Sequence, residues 1–73
     1  MQCCGCGAVA RDMTPGDLDG IRIACSHCGI YEVSGTVLNR LLRMTLQQRA
    51  EALARAKRLA HPSVMPLVDA RCF

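Results

Sequence analysis

The chain contains no tryptophan, one tyrosine and one phenylalanine. With Tyr31 and Phe73 as its sole aromatics, it has almost nothing on which to stack nucleic-acid bases. No apolar run approaches the ~18 residues of a membrane span. The opening Met1-Gln2-Cys3-Cys4 does not read as a signal peptide, so a cytoplasmic location and no membrane partner are expected. There is no P-loop, dinucleotide fingerprint or Ser/His/Asp grouping, and the two histidines lack a carboxylate cluster nearby. At 73 residues there is little room for both a core and a walled pocket of the usual ~300–1,000 Å³. Neither an enzyme nor a small-molecule substrate is expected.

What the chain does have is cysteine. The hydrophobic fraction is 51 % and mean hydropathy +0.17, so it should fold. A domain this small buries only about 60 % of its unfolded surface and usually needs a staple. Six cysteines are present: Cys3, Cys4, Cys6, Cys25, Cys28 and Cys72. In a secreted miniprotein they would imply three disulfides. Here five crowd into two knots, Cys3-Cys4-Gly5-Cys6 and Cys25-Ser26-His27-Cys28, and in a reducing compartment such thiols are ligands or nucleophiles.

Pairing Cys3 with Cys6 and Cys25 with Cys28 gives C-x2-C-x18-C-x2-C, within the zinc-site range of roughly 15–20 intervening residues. Two residues between cysteines let one tight turn aim both sulfurs at an ion about 2.3 Å from each. Gly7 and Gly29, just after each pair, relieve Cβ crowding where the backbone turns toward the sulfurs. Four thiolates close the coordination shell, which marks a structural rather than a catalytic site. Structural zinc supplies on the order of 10–16 kcal/mol, comparable with the whole stability of a domain. Zinc is favoured over rubredoxin-like iron because nothing else points to electron transfer, although the spacing suits both. Cys4 reads as a spare thiol, His27 as exposed and locally hydrogen-bonded, and Cys72 as packed or free. A thiol oxidoreductase or electron carrier is the third-ranked alternative, since a shared ion would silence both cysteine pairs.

A change of character falls near residue 35. Residues 1–36 form a cysteine- and glycine-rich half, 37–61 an Arg-rich helical segment, and 62–73 a tail that packs back onto one compact domain. Ala8-Val9-Ala10 is expected to form a short strand, followed by turns at Thr14-Pro15-Gly16-Asp17 and Asp19-Gly20. Ile21–Ala24 and Ile30–Val33 alternate as half-buried strands do. Two or three short antiparallel strands would bring the knots together. Ser34 or Thr36 can cap a helix that places Val37, Leu41 and Met44 on one face. Thr45 and Gln48 have capping-box spacing, so a helix should start at Leu46 and end near Ala60, before His61-Pro62. At 100° per residue, Leu46, Ala50, Leu53 and Ala60 make one stripe, opposite Glu51, Arg55 and Arg58. The pattern leaves open whether 37–60 is one bent helix or two.

The stretch Cys25-Ser26-His27-Cys28-Gly29-Ile30-Tyr31-Glu32-Val33-Ser34-Gly35-Thr36 resembles the second knuckle of zinc-ribbon modules found at the start of many small bacterial proteins. Those read roughly Cys-Pro-x-Cys-Gly-x-Tyr-x-Ile-Ser-Gly-Thr, followed by a helix. Cys3 and Cys6 match the first knuckle, and the similarity covers about residues 3–45. It departs at Ser26, where proline is common, and at the extra Cys4. The resemblance implies a small α+β fold, a zinc ribbon followed by one or two helices, and one structural Zn²⁺. It implies no activity.

The formal net charge is +3, unevenly spread. Residues 1–36 set Arg11 and Arg22 against Asp12, Asp17, Asp19 and Glu32, leaving −2. Residues 37–61 set Arg40, Arg43, Arg49, Arg55, Lys57 and Arg58 against Glu51, leaving +5. Such a basic helix is an electrostatic footprint for phosphate backbones or an acidic protein surface, and arginine suits bidentate contact with either. It can equally be just the solvated face of the helix. The expected function is a small bacterial or phage regulator or adaptor acting through this half on nucleic acid or the transcription machinery. The alternative is a protein-interaction module, an inhibitor or a self-associating subunit, with a purely structural zinc site.

Overall fold

A computed structural model describes residues 1–73. Alternation produces the two main strands, β2 (Gly20–Cys25) and β3 (Gly29–Ser34), which pair antiparallel with Arg22 opposite Glu32 and Ile23 opposite Tyr31. Ile23, Cys25, Tyr31 and Val33 point into the core. On the other face, the Arg22 guanidinium meets the Glu32 carboxylate at 2.7 Å. A short β1 (Arg11–Asp12) adds to the β2 edge, and Thr14 Oγ1 accepts the Arg22 amide at 2.9 Å.

The expected strand at Ala8-Val9-Ala10 is displaced. Val9 makes only an isolated bridge with Gln2, and the ladder begins at Arg11. The first knuckle consumes the backbone groups that a strand over 8–10 would have offered: Cys3 donates to the Ala8 carbonyl at 2.7 Å and Ala10 to Met1 at 2.7 Å.

Two helices follow, which settles the open choice. Helix α1 (Gly35–Leu42) starts at Ser34, whose hydroxyl accepts the Thr36 amide, and buries Val37 and Leu41. Helix α2 (Leu46–Leu59) starts at Thr45 with the full capping box: Thr45 Oγ1 accepts from the Gln48 amide at 3.1 Å, and Gln48 Oε1 accepts from the Thr45 amide at 3.0 Å. The chain cannot continue straight through a residue whose side chain and backbone already serve as an N-cap.

The buried face of α2 is Ala52, Leu53 and Ala56, a rotation from the expected stripe. Ala50 is exposed and Leu46 is 51 % exposed, its methyls lying beside Gly7. The rotation follows from what α2 packs on. Its neighbours are a fourth strand, β4 (Leu67–Val68), and a short 3-10 turn (Ala70–Cys72), and alanines let these approach closely.

Strand β4 corrects the expectation of an all-antiparallel sheet of two or three strands. It lies parallel to β3, with Val33 opposite Val68, giving a four-stranded sheet in the order β1-β2-β3-β4. The two helices form the crossover that a parallel pair requires. The tail does pack back, sending Val68 and Cys72 fully into the core while Val64 stays exposed. The fold is therefore small α+β, with both helices against the inner sheet face. No helix is long and apolar enough to cross a membrane.

Candidate metal centre

Each knuckle is a Cys-x-x-Cys-Gly turn whose glycine adopts positive φ, +78° at Gly7 and +82° at Gly29. An L side chain resists that conformation, and it is what turns the chain back after the second cysteine. The second knuckle is the tip of the β2–β3 hairpin, with Cys25 directly opposite Gly29. The first is closed by the Gly7 amide donating to the Cys3 carbonyl at 2.9 Å.

The topology brings the four sequence-identified ligands together. The sulfurs of Cys3, Cys6, Cys25 and Cys28 all lie within 4.8 Å of one another and could hold one metal ion. Cys3 and Cys28 are 3.8 Å apart and Cys6 and Cys25 3.6 Å. A tetrahedron with arms of about 2.3 Å has edges of about 3.8 Å, so these spacings suit a tetrathiolate ion. They are far beyond the ~2.05 Å of a disulfide, and all six thiols are free. The donor set, all sulfur and closed, fits Zn²⁺ and leaves no ligand position for a substrate.

The sulfurs differ in environment. Burial works against a Cys3 thiolate, but the Tyr31 hydroxyl at 3.1 Å and the Gly5 amide at 3.4 Å outweigh it and bring the thiol down to about 7. The backbone amides of Cys28 and His27 favour the Cys25 thiolate and lower that group as well. Cys28 is pushed up to about 12, first by burial and then by the neighbouring Cys6 and Cys3 sulfurs. Four adjacent thiolates cannot all ionise unaided, and a bound divalent cation would supply the missing counter-charge.

Of the remaining groups, Cys4 is buried but stands outside the converging set. Burial and the adjacent Cys3 raise its thiol above the ordinary value. Cys72 is buried beneath β4, and His27 is exposed on the knuckle tip. The alternation over Ile30–Val33 places Tyr31 in a half-buried strand and does not by itself connect it to the centre. The available signal was its inward phase on β3, because a buried tyrosine needs a partner for its hydroxyl.

The six basic residues of the helical half divide in two. The Arg40 guanidinium sits 4.9 Å over the Phe73 ring. Arg49 caps α1: its Nε donates to the Leu41 and Met44 carbonyls at 3.1 and 3.0 Å, and its Nη2 to Leu42 at 2.8 Å. Arg55 donates to the Cys72 carbonyl at 3.0 Å, tying the tail to α2. Arg43, Lys57 and Arg58 are exposed and make no side-chain hydrogen bond or ion pair. Arg43 is the C-cap of α1, before α2 begins, whereas Arg58 lies in the last turn of α2, a helix about 21 Å long.

The end of α2 and the tail enclose a groove of about 220 Å³. Ala56 and Met65 line it with Arg71, and Leu59, Val64 and Leu67 wall it while 54 %, 60 % and 36 % exposed. No protein-family model, curated protein or solved structure matches the chain, so the zinc-ribbon resemblance rests on its residues alone.

Proposed function

We propose that this chain is a small binding module folded around one structural Zn²⁺, with Cys3, Cys6, Cys25 and Cys28 as ligands, and that it acts by docking rather than by catalysis. The observation that carries the reading is the convergence of four sulfurs within 4.8 Å from knuckles far apart in the chain. A regulatory or adaptor role follows from binding without chemistry. Metal analysis of the purified chain should return one zinc per molecule, and a zinc-free, fully folded protein would overturn the reading.

For the partner, the helical layer favours an acidic protein segment with apolar anchors. Half of the expected cation footprint is engaged in contacts within the molecule, whereas Leu59, Val64 and Leu67 stand exposed around one groove that Arg71, itself paired with Asp69, also lines. Phosphate backbones make no use of such aliphatic walls; a carboxylate-flanked leucine does. The second reading, nucleic acid, is supported by the free Arg43, Lys57 and Arg58.

Fluorescence anisotropy across a salt series separates the two, using a Leu/Glu-rich amphipathic peptide and a DNA duplex as probes. The protein reading expects peptide binding that Leu59→Asp weakens at least ten-fold. Duplex binding that falls with a log–log salt slope of about −2.7, as three phosphate contacts would give, and that weakens with Arg58→Ala but not with Leu59→Asp, would establish nucleic acid instead.

A further inference from the structure

We propose that Tyr31 is an outer-sphere donor of the metal centre, a positioning residue that makes Cys3 the last of the four sulfurs to release the ion. This rests on reading the four cysteines as a metal site.

The Tyr31 ring is 1 % exposed, and its hydroxyl has a single hydrogen-bond partner, the Cys3 sulfur at 3.1 Å. A metal-bound thiolate carries no proton, so in the loaded protein the hydroxyl must donate and the sulfur accept. The Gly5 amide donates to the same sulfur at 3.4 Å. Charge-assisted hydrogen bonds of this kind are the stronger class, and both of these are buried.

Geometry also ties the hydroxyl to assembly. Tyr31 belongs to β3, directly opposite Ile23 in the sheet, whereas Cys3 stands 28 residues earlier in a segment that has no strand of its own. The bond therefore anchors the first knuckle to the sheet. Cys6, by contrast, is the exposed member of the set. Release should begin at the solvent side, with Cys6, and finish at the sulfur held from behind.

The full zinc-loaded chain is challenged with EDTA while N-ethylmaleimide traps each freed thiol, and fragment-ion mapping locates the label. In the wild type, Cys6 should be labelled first and Cys3 last of the four. Tyr31→Phe keeps the ring and removes only the hydroxyl. It should weaken zinc affinity about 10–100-fold and bring Cys3 labelling level with the other sulfurs, with a shifted sulfur-to-metal charge-transfer band in the cobalt-substituted protein. A merely structural role would speed release at all four sites without changing their order. Wild-type labelling of Cys3 before or together with Cys6 overturns the proposal whether or not the variant folds. An unchanged order and affinity in Tyr31→Phe does so too. A wild type that binds no zinc overturns the underlying metal reading instead.

Discussion

The two knuckles share a motif and differ in everything that supports it. The second rides on a hairpin whose strands are paired over six residues each, so its cysteines are positioned by local register. The first has a single bridge, between Gln2 and Val9, and is held by contacts from elsewhere. Tyr31 reaches its sulfur from β3, and Leu53 of α2 presses onto Gly5, where an added Cβ would lie 2.7 Å from a Leu53 methyl. Identical turns can thus be one local and one non-local structure. On the metal reading proposed above, the non-local one depends more on the ion, because its order is linked to binding of a ligand the unfolded chain lacks.

Chelation should produce the largest effect. Withdrawing an interaction on the order of 10–16 kcal/mol exceeds what a chain of this size can spare. Hydrogen exchange during EDTA titration should show amides 1–10 losing protection before those of β2 and β3. Simultaneous loss would erase the distinction between the knuckles.

Glycine substitutions sharpen the same contrast. Gly5→Ala forces a methyl into the buried Leu53 contact and should cost about 1–3 kcal/mol. Gly29→Ala meets nothing within 4 Å, and its cost of about 1–2 kcal/mol comes from the positive φ alone. Denaturant melts of the zinc-loaded variants measure both. A compensating Leu53→Ala change should relieve the steric part of the Gly5→Ala defect and leave Gly29→Ala unrelieved.

Thr45→Ala removes half of a capping box at the start of the helix that leans on the first knuckle, at a cost of about 1 kcal/mol. If the knuckles differ as described, this change should also raise the chelator sensitivity of amides 1–10 while sparing the hairpin tip.

The smallest expected effect lies at Asp12, whose carboxyl is held below its ordinary value by the Thr14 hydroxyl and amide. A group depressed in the folded state stabilises it above the ordinary carboxylate value, and that contribution fades as pH falls through the depressed one. Asp12→Asn should therefore flatten the acid limb of the stability–pH curve slightly. An unchanged limb would mean that the Thr14 bonds do not survive in solution.

Much of the centre was legible from the residue order. Cysteine spacing, the glycine following each pair, the Thr45–Gln48 capping box and the alternation in β2 and β3 all act over a few residues. Chain geometry over that range leaves few alternatives. The turn expected over Thr14–Asp17 forms one residue later, with the Leu18 amide donating to the Pro15 carbonyl at 3.2 Å. Legibility failed where a short segment finds a distant partner. Leu67-Val68 has no alternating run to announce β4, and its register is set only once two helices have carried the chain back beside β3. The α2 stripe was misjudged for a related reason, since helical periodicity offers several apolar arcs and the neighbour chooses among them.

The short-range code of this chain thus specified which atoms can bind an ion and where helices start, because turns and caps are satisfied by their own neighbours. Only the packed molecule decided what each long side chain does. Tyr31 found a sulfur, and Arg40, Arg49 and Arg55 found a ring and carbonyls within the protein. The leucines near the tail were left facing outward. Those outcomes hinge on contacts between segments tens of residues apart, and such contacts exist only after the whole core has closed.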